Sequence, residues 1–227
     1  PHKPVIVWKG GSSEAGAKSA ASHTGSMAGS YHIFQAMCSQ TGIIPAYGME
    51  NLIDLAVAFS CPVLPPGRDI GLLIEAGGGA VASSDACARE GLNIRQFPED
   101  LQNRLADYLR DKVPPSRNRK NPVDLVWAPI GGAEQVYVDC LEMIMPHVDV
   151  CLVITYAFLN DALFRRKLME LRDRLKKPVV LIPANPPDQL DGMIMAAMDG
   201  LPTYVMPDNA IRCIGAMARR AEHLKRR

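Results

Sequence analysis

Apolar residues in this sequence fall into short, β-branched runs that alternate with segments of helical period. From residue 70 onward the runs are IGLLIEAGGG, LNIRQF, NPVDLVW, VDVCLVITYA, PVVLIPA and PTYVM. The segments between them predict helices over residues 80–90, 98–112, 133–145, 160–176, 189–198 and from 208 onward. Such alternation is typical of parallel strands joined by crossover helices. We therefore expect an α/β fold with a doubly wound parallel sheet.

The first 65 residues carry fewer elements. Their pattern predicts a strand at residues 5–8, a loop of small residues, a helix at 30–40, a short strand in GIIPAYG and an amphipathic helix at 49–60. These elements make up only part of a second α/β unit. The proline-rich stretch CPVLPPGRD then reads as a linker, because residues before proline are pushed out of the helical region. We predict two domains, residues 1–65 and 66–227.

Composition narrows the functional class. The net charge is only +1 and 48% of the residues are apolar, so we expect an ordinary soluble protein with no nucleic-acid partner. The six cysteines are widely spaced and no histidine set has zinc spacing, which predicts buried thiols and no metal site. The opening PHKPVIVWKGG resembles a strand rather than a signal peptide, and no apolar run is long enough for a bilayer. These features predict a cytoplasmic protein without a membrane partner.

Two glycine-containing motifs invite comparison with phosphate-binding loops. The stretch GSSEAGAKS misses the P-loop spacing by one residue, because Ala17 separates Gly16 from Lys18. In EAGGGAVASSDA, Gly77, Gly79 and Ala82 fit the pattern G-x-G-x-x-[GA] between a strand and a helix. The second motif is either an anion cradle formed by backbone amides or a turn whose glycines serve only close packing, and its context favours the cradle.

Two further sites each allow more than one interpretation. In NPVDL, Asn121 and Asp124 stand at a buried strand, and Asp124 is either a turn residue or a group pointing into the ligand edge of the sheet. His23 lies in GAKSAASHTGSMAGS, where most side chains are too small to form a core around its ring. An imidazole in such a run can serve as base, metal ligand or nucleophile, and Ser22, Thr24 and Ser26 are candidates either to orient the ring or to bind phosphate oxygens.

Several of these stretches together resemble one family. KGGSSEAGAKSAASHTGSMAGS, NLIDLA, GGGAVASSDACAREGL, NPVDL and GLPTYVMPDNAIRCIGAMAR are similar to NDP-forming acyl-CoA synthetases, including ADP-forming acetate–CoA ligases, of the succinyl-CoA synthetase superfamily. The resemblance implies a flavodoxin-like ligase domain at residues 66–227, preceded by the end of the domain that bears the phosphohistidine.

The resemblance also implies roles for residues. His23, in the SHTG motif, is implied to carry phosphate transiently, with Ser22, Thr24 and Gly25 supporting it. A second set of residues is implied to lie at the helix that faces the phosphate: Gly77, Gly78, Gly79 and Ser83, with Asn121 and Asp124 in support. The implied reaction converts acyl-CoA, ADP and phosphate reversibly into acid, CoA and ATP.

The family's other parts are not found in this sequence. The resemblance implies partners that supply them, namely an ATP-grasp subunit or domain and a CoA-binding domain. Assembly of several copies of the chain into a homo-oligomer is a further possibility. CoA, ATP or ADP and Mg²⁺ are implied to be used by the full enzyme rather than held mainly by this chain. The alternatives are a non-catalytic synthetase-like regulatory or assembly module and, less favoured, a dinucleotide-binding oxidoreductase, which lacks its acidic partner at the end of the next strand.

Overall fold

Short parallel strands alternate with helices in the computed structural model, which describes residues 3–24, 29–75, 77–115, 119–126, 132–157 and 159–226. The strands are β1 Ile6–Trp8, β2 Ile44–Ala46, β3 Ile70–Ile74, β4 Val123–Asp124, β5 Val150–Thr155 and β6 Val179–Pro183. The helices are α1 Glu14–Thr24, α2 Tyr31–Thr41, α3 Met49–Ser60, α4 Gly77–Glu90, α5 Glu99–Leu109, α6 Ala133–Ile144, α7 Ala162–Leu175, α8 Leu190–Met198 and α9 Pro207–Lys225.

The larger sheet has the strand order β4-β3-β5-β6, and all its strands run parallel. A single bridge between Leu181 and Thr203 extends the sheet beyond β6. Counted from β3, this order is 2-1-3-4 with a fifth position at Thr203, which is the flavodoxin-like arrangement. The predicted α/β fold is therefore confirmed.

Helices cover both faces of this sheet, as a parallel sheet requires. Leu73, Val153 and Leu181 point to the face covered by α5, α6 and α7. Leu72 and Leu152 point to the other face, which α3, α4 and α9 cover. All six cysteines are buried and free, as predicted.

The smaller sheet pairs β1 with β2 in parallel, with Ile6 beside Ile44. Helix α3 connects this unit to the larger one, because its Leu55 and Ala58 lie in the same apolar cluster as Leu72. The domain boundary at residues 65 and 66 stays a prediction. No helix within the described ranges has the length and apolar character needed to cross a membrane.

Two predicted strands are reduced to single bridges. In LNIRQF only Asn93 pairs, with Asp69, and in PTYVM only Thr203 pairs, with Leu181. Helix starts also move: α4 begins at Gly77 rather than at Ala80. These differences follow from tertiary contacts that no local pattern records.

The loop of small residues predicted between β1 and α2 is wrong over Glu14–Thr24, which form α1, and residues 25–28 of that loop lie outside the described residues. Ser13 begins this helix: its Oγ accepts a hydrogen bond from the Gly16 amide at 3.1 Å, and its carbonyl accepts one from Ala17 at 2.8 Å. Glu14 and Lys18 then form an ion pair of 2.9 Å across one turn. Alanine-rich sequence favours a helix, a propensity that the small-residue reading overlooked.

Candidate active site

His23 lies in the last turn of α1, with its side chain exposed to solvent. The neighbouring Ser22 is also exposed. None of the side chains that the structure describes on α1 is buried. The imidazole therefore has no packing role within the described part of the chain. The Thr24 side chain and Gly25, both predicted as supporting groups, lie outside the described residues.

The glycines of the second motif form the first turn of α4, directly after β3. A Cβ added at Gly77 or Gly78 would meet no described atom within 4 Å. At Gly79 it would make ordinary contacts with Ile74 and Ile154, at 3.5 and 3.6 Å. Packing against the described residues therefore does not require glycine here, and the space in front of the first two glycines is open.

This first turn carries the features of an anion site. The first amides of an α-helix have no acceptor within the helix, and the helix dipole is positive there. The start of α4 also follows the carboxyl end of β3, the edge at which open α/β sheets bind their ligands. The backbone at Gly77, Gly78 and Gly79 thus offers donors, open space and favourable charge together.

Ser83 does not belong to this exposed turn. Its side chain is fully buried on the inner side of α4, and its hydroxyl has no hydrogen-bond partner among the described residues. Six residues along a helix correspond to about 9 Å from Gly77. The buried hydroxyl is not presented at the exposed turn, and the contact between Ser83 and a phosphate stays a prediction.

Glu75 lies beside this turn and is a residue that the sequence pattern did not single out. It ends the apolar run of β3, two positions before Gly77, and only 3% of it is exposed. Its Oε1 accepts a hydrogen bond of 3.3 Å from the Tyr156 amide, which also reaches the Tyr137 hydroxyl at 3.3 Å. Its Oε2 is buried without a partner among the described residues.

Burial also controls the charge of this carboxyl. Desolvation raises the pKa of Glu75 to about 8, against a smaller lowering by the hydrogen bond from Tyr156. The group is therefore largely protonated at neutral pH and adds little negative charge beside the start of α4. An acidic residue that interrupts an apolar strand just before a glycine-rich helix start is the signal that identifies it in sequence.

Asn121 has a structural position. Its Oδ1 accepts a hydrogen bond from the Leu72 amide at 3.0 Å, and its Nδ2 donates to the carbonyls of Ile70 at 2.8 Å and Arg95 at 3.0 Å. The side-chain amide therefore holds the backbone of β3 in place. It has no donor left for a ligand.

Asp124 forms a turn at the end of β4. Its Oδ1 accepts a hydrogen bond of 2.8 Å from the Val126 amide, and Val126 has a φ of 63°. A left-handed conformation is strained for a β-branched residue, so the carboxylate stabilises an unusual backbone at the ligand edge. Of the two possibilities for Asp124, the structure shows the turn.

The two halves of the predicted site lie on separate elements. His23 is on α1 and the glycines begin α4, and no hydrogen bond between described residues joins them. Within the described ranges, no group of three or more His, Cys, Asp or Glu side chains is placed to hold a metal ion.

Comparison with known proteins decides the family. The model of the succinyl-CoA ligase like flavodoxin domain matches residues 1–59, which include His23. The chain is 32% identical over 221 residues to subunit alpha of acetate–CoA ligase (ADP-forming) I of Pyrococcus furiosus, covering 95% of this chain and 46% of that subunit. It is 31% identical over 228 residues to the 4-hydroxybutyrate–CoA ligase (ADP-forming) of Nitrosopumilus maritimus, covering 98% of this chain and 31% of that protein.

The chain belongs to the ADP-forming acyl-CoA ligases. The resemblance seen in its motifs is thereby confirmed. A solved family structure, the acetyl-coenzyme A synthetase 1 of Ca. Korarchaeum cryptofilum in complex with phosphate and ADP, superimposes with a TM-score of 0.80 at 28% identity, covering 97% of this chain and 47% of that one.

The chain spans about half the length of the ligase alpha subunits from Pyrococcus furiosus, 49% and 46%, and about a third of the Nitrosopumilus enzyme, 31%. These ADP-forming ligases therefore contain other domains or subunits besides the region matched here.

The family model and the flavodoxin-like sheet fall on different parts of the chain. The model of the succinyl-CoA ligase like flavodoxin domain matches residues 1–59, whereas strands β3 to β6 form the flavodoxin-like strand order.

Proposed function

We propose that this chain is the phosphoryl-relay portion of an ADP-forming acyl-CoA ligase, with His23 as the transient phosphate carrier. The observation that carries the proposal is the exposure of His23 at the end of a helix without buried side chains. An imidazole without a packing role is free to act as a nucleophile. Family membership supplies the reaction that needs one.

The relay consists of two phosphoryl transfers. In the first, a lone pair of the neutral His23 imidazole attacks the phosphorus of an acyl phosphate, and the P–O bond to the acid breaks with release of the carboxylate. In the second, a terminal oxygen of ADP attacks the same phosphorus and the P–N bond breaks. ATP and free imidazole result, and the reverse sequence runs from ATP.

The start of α4 is the proposed receiving surface. A phosphoryl group on His23 would sit at the carboxyl end of α1, where the helix dipole disfavours negative charge. The amides of Gly77, Gly78 and Gly79 offer the opposite end of another helix, with open space in front of the first two. Protonation of Glu75 keeps a second negative charge away from this surface.

The complete reaction needs groups that we assign to other domains. We propose that an ATP-grasp subunit or domain binds ADP or ATP with Mg²⁺, and that a CoA-binding domain presents the acyl group. The chain alone is then expected not to make acyl-CoA. We further propose a cytoplasmic location.

The test is phosphate labelling. The chain is incubated with γ-labelled ATP and an ATP-grasp subunit of a related ligase, and label that is acid-labile and base-stable is measured on it. We expect label on the wild type and on His32→Asn, whose histidine is exposed on α2, and none on His23→Asn. Label that persists in His23→Asn overturns the assignment. Failure of the wild type to label favours the non-catalytic module.

A further inference from the structure

A pocket of about 500 Å³ lies between α9 and the N-terminal unit. Residues of α2, β2, α3 and α9 line it, and neither His23 nor the α4 glycines are among them. Its walls are partly apolar, with Cys38, Ile44 and Leu55 on one side. This volume falls within the roughly 300–1,000 Å³ typical of small-molecule sites.

Helix α9 gives the pocket its charge. Arg212, Ala216, Arg219, His223 and Arg226 all line it, and they are spaced alternately four and three residues apart. That spacing places them in one stripe on the helix surface. The stripe spans about 21 Å of helix axis. Among the described lining residues, five arginines stand against a single carboxylate, that of Glu222.

Part of this basic wall is held rigidly by the protein itself. Arg68 forms a two-point ion pair with Glu222, with Nη2 at 2.8 Å from Oε2. Arg220 is buried and donates to the Gly42 carbonyl at 3.2 Å. Gly42 has a φ of 74°, and a Cβ there would come within 2.4 Å of the His223 ring. The end of the pocket near Gly42 is therefore built to a fixed shape.

Other arginines along the stripe remain available. Arg212 and Arg226 are exposed and form no hydrogen bond or ion pair with any residue that the structure describes. Arg219 has an exposed ion pair with Glu90 at 3.1 Å, which costs little to exchange for a ligand. These guanidinium groups can make the two-point contacts that phosphate oxygens favour.

An aromatic side chain also lines the pocket. Tyr47, on the connection from β2 to α3, is 67% exposed. The pocket thus combines the arginines of α9 with an exposed aromatic ring, a group that can stack on a planar ligand.

We propose that this pocket binds a nucleotide, with its phosphates at Arg219 and Arg226 and its planar base beside Tyr47. A divalent cation is disfavoured by the excess of arginines, and a small carboxylate would fill little of the volume. The site is separate from the proposed relay and does not depend on His23.

Calorimetric titration of the full chain tests this proposal with three probes: ADP, pyrophosphate and adenosine. We expect ADP to bind one to one, pyrophosphate to bind more weakly because it lacks the base, and adenosine to bind weakest because it lacks the phosphates. Arg226→Gln, which breaks no described contact, and the double variant Arg219→Gln/Arg226→Gln should weaken ADP binding, the double variant at least about ten-fold. Tyr47→Leu should weaken ADP but not pyrophosphate.

The controls separate this site from the relay. Arg110→Gln, at an exposed position directly after α5, and His23→Asn should leave ADP binding unchanged. Thermal melts of each variant confirm that the fold is kept. Absence of ADP binding to the wild type overturns the proposal, as does ADP affinity that the two arginine variants leave unchanged. Loss of labelling at His23 with ADP binding retained would contradict only the relay.

Discussion

The carboxyl of Glu75, at the end of β3, accepts a hydrogen bond of 3.3 Å from the amide of Tyr156, at the end of β5. This contact joins the two central strands of the larger sheet at the edge where α4 begins. Because the carboxyl is 3% exposed, its ionisation is coupled to folding. Its charge state also sets the electrostatics of the proposed phosphate surface.

The first prediction concerns Glu75 and pH. Folding raises its pKa from an ordinary value of 4.5 to about 8, so the folded chain binds more protons than the unfolded chain between these values. Its contribution to stability therefore falls as pH rises through that window and levels off above about pH 8. In Glu75→Gln this contribution is absent, so urea unfolding should show a shallower decline in stability from pH 5 to 8.

A matched control is Glu170→Gln, whose side chain is 63% exposed on α7. The stability of this variant should fall with pH from 5 to 8 as steeply as that of the wild type. If Glu75→Gln and the wild type lose stability in parallel across this pH range, Glu75 is ionised in the folded chain and the account of its charge is wrong.

The second prediction concerns the glycines of α4. Alanine has the higher helix propensity, and Gly77 and Gly78 have open space around their Cα atoms among the described residues. Gly77→Ala/Gly78→Ala should therefore stabilise the fold by about 1 kcal/mol, measured by urea unfolding. The same change should slow phosphate transfer from His23 several-fold, because the added methyl groups keep the phosphate from the amides.

If the start of α4 is a ligand surface, the double variant should have a higher free energy of unfolding and a lower rate of phosphate transfer than the wild type. A double variant that loses stability would show that glycine is needed for packing. One that transfers phosphate at the wild-type rate would remove the start of α4 from the relay.

The third prediction tests the structural role of Asn121. Its side-chain amide makes three hydrogen bonds to backbone groups, two of them on β3. Asn121→Ala leaves these groups buried and unpaired, so it should lower the free energy of unfolding by about 3 kcal/mol. Asn103→Ala, at an exposed position of α5, should change it by less than about 0.5 kcal/mol. Equal stability of the two variants would refute the structural assignment.

The fourth prediction concerns Gly192 in α8. A Cβ there would lie 2.5 Å from the Asn160 amide nitrogen and 2.6 Å from the Leu159 carbonyl carbon, and backbone cannot move aside cheaply. Gly192→Ala should destabilise the fold by about 2 kcal/mol in urea unfolding. Gly10→Ala, where a Cβ meets no described atom within 4 Å, serves as the control and should be nearly neutral. A neutral Gly192→Ala would show that α8 is not packed this closely.

Much of the fold could be predicted from the sequence, because buried parallel strands leave continuous apolar runs and their helices leave a clear period. The runs around Ile70, Val150 and Val179 became strands of the larger sheet. LNIRQF and PTYVM did not form full strands, since local composition does not record how many partners a segment finds. Ser13 caps α1 in the structure, whereas the small residues after it predict a loop from the sequence pattern alone.

The site was predictable only in part. The motifs predict roles for His23 and the α4 glycines, because glycine-rich helix starts and a histidine among small residues leave a sequence signature, and these roles stay predictions. The burial of Ser83 could not be predicted, because it depends on which side of α4 faces the sheet. Glu75 was missed because its raised pKa arises from burial, which depends on how the end of β3 packs in the folded chain and not on the local sequence.

The most direct measurement of the central proposal is to locate the phosphate. The wild-type chain is phosphorylated with ATP and an ATP-grasp subunit, digested under mildly alkaline conditions that preserve phosphohistidine, and sequenced by tandem mass spectrometry. We predict phosphate on His23 alone among the five histidines, lost again on addition of ADP. Phosphate on another residue, or phosphate on His23 that ADP does not remove, would contradict the relay.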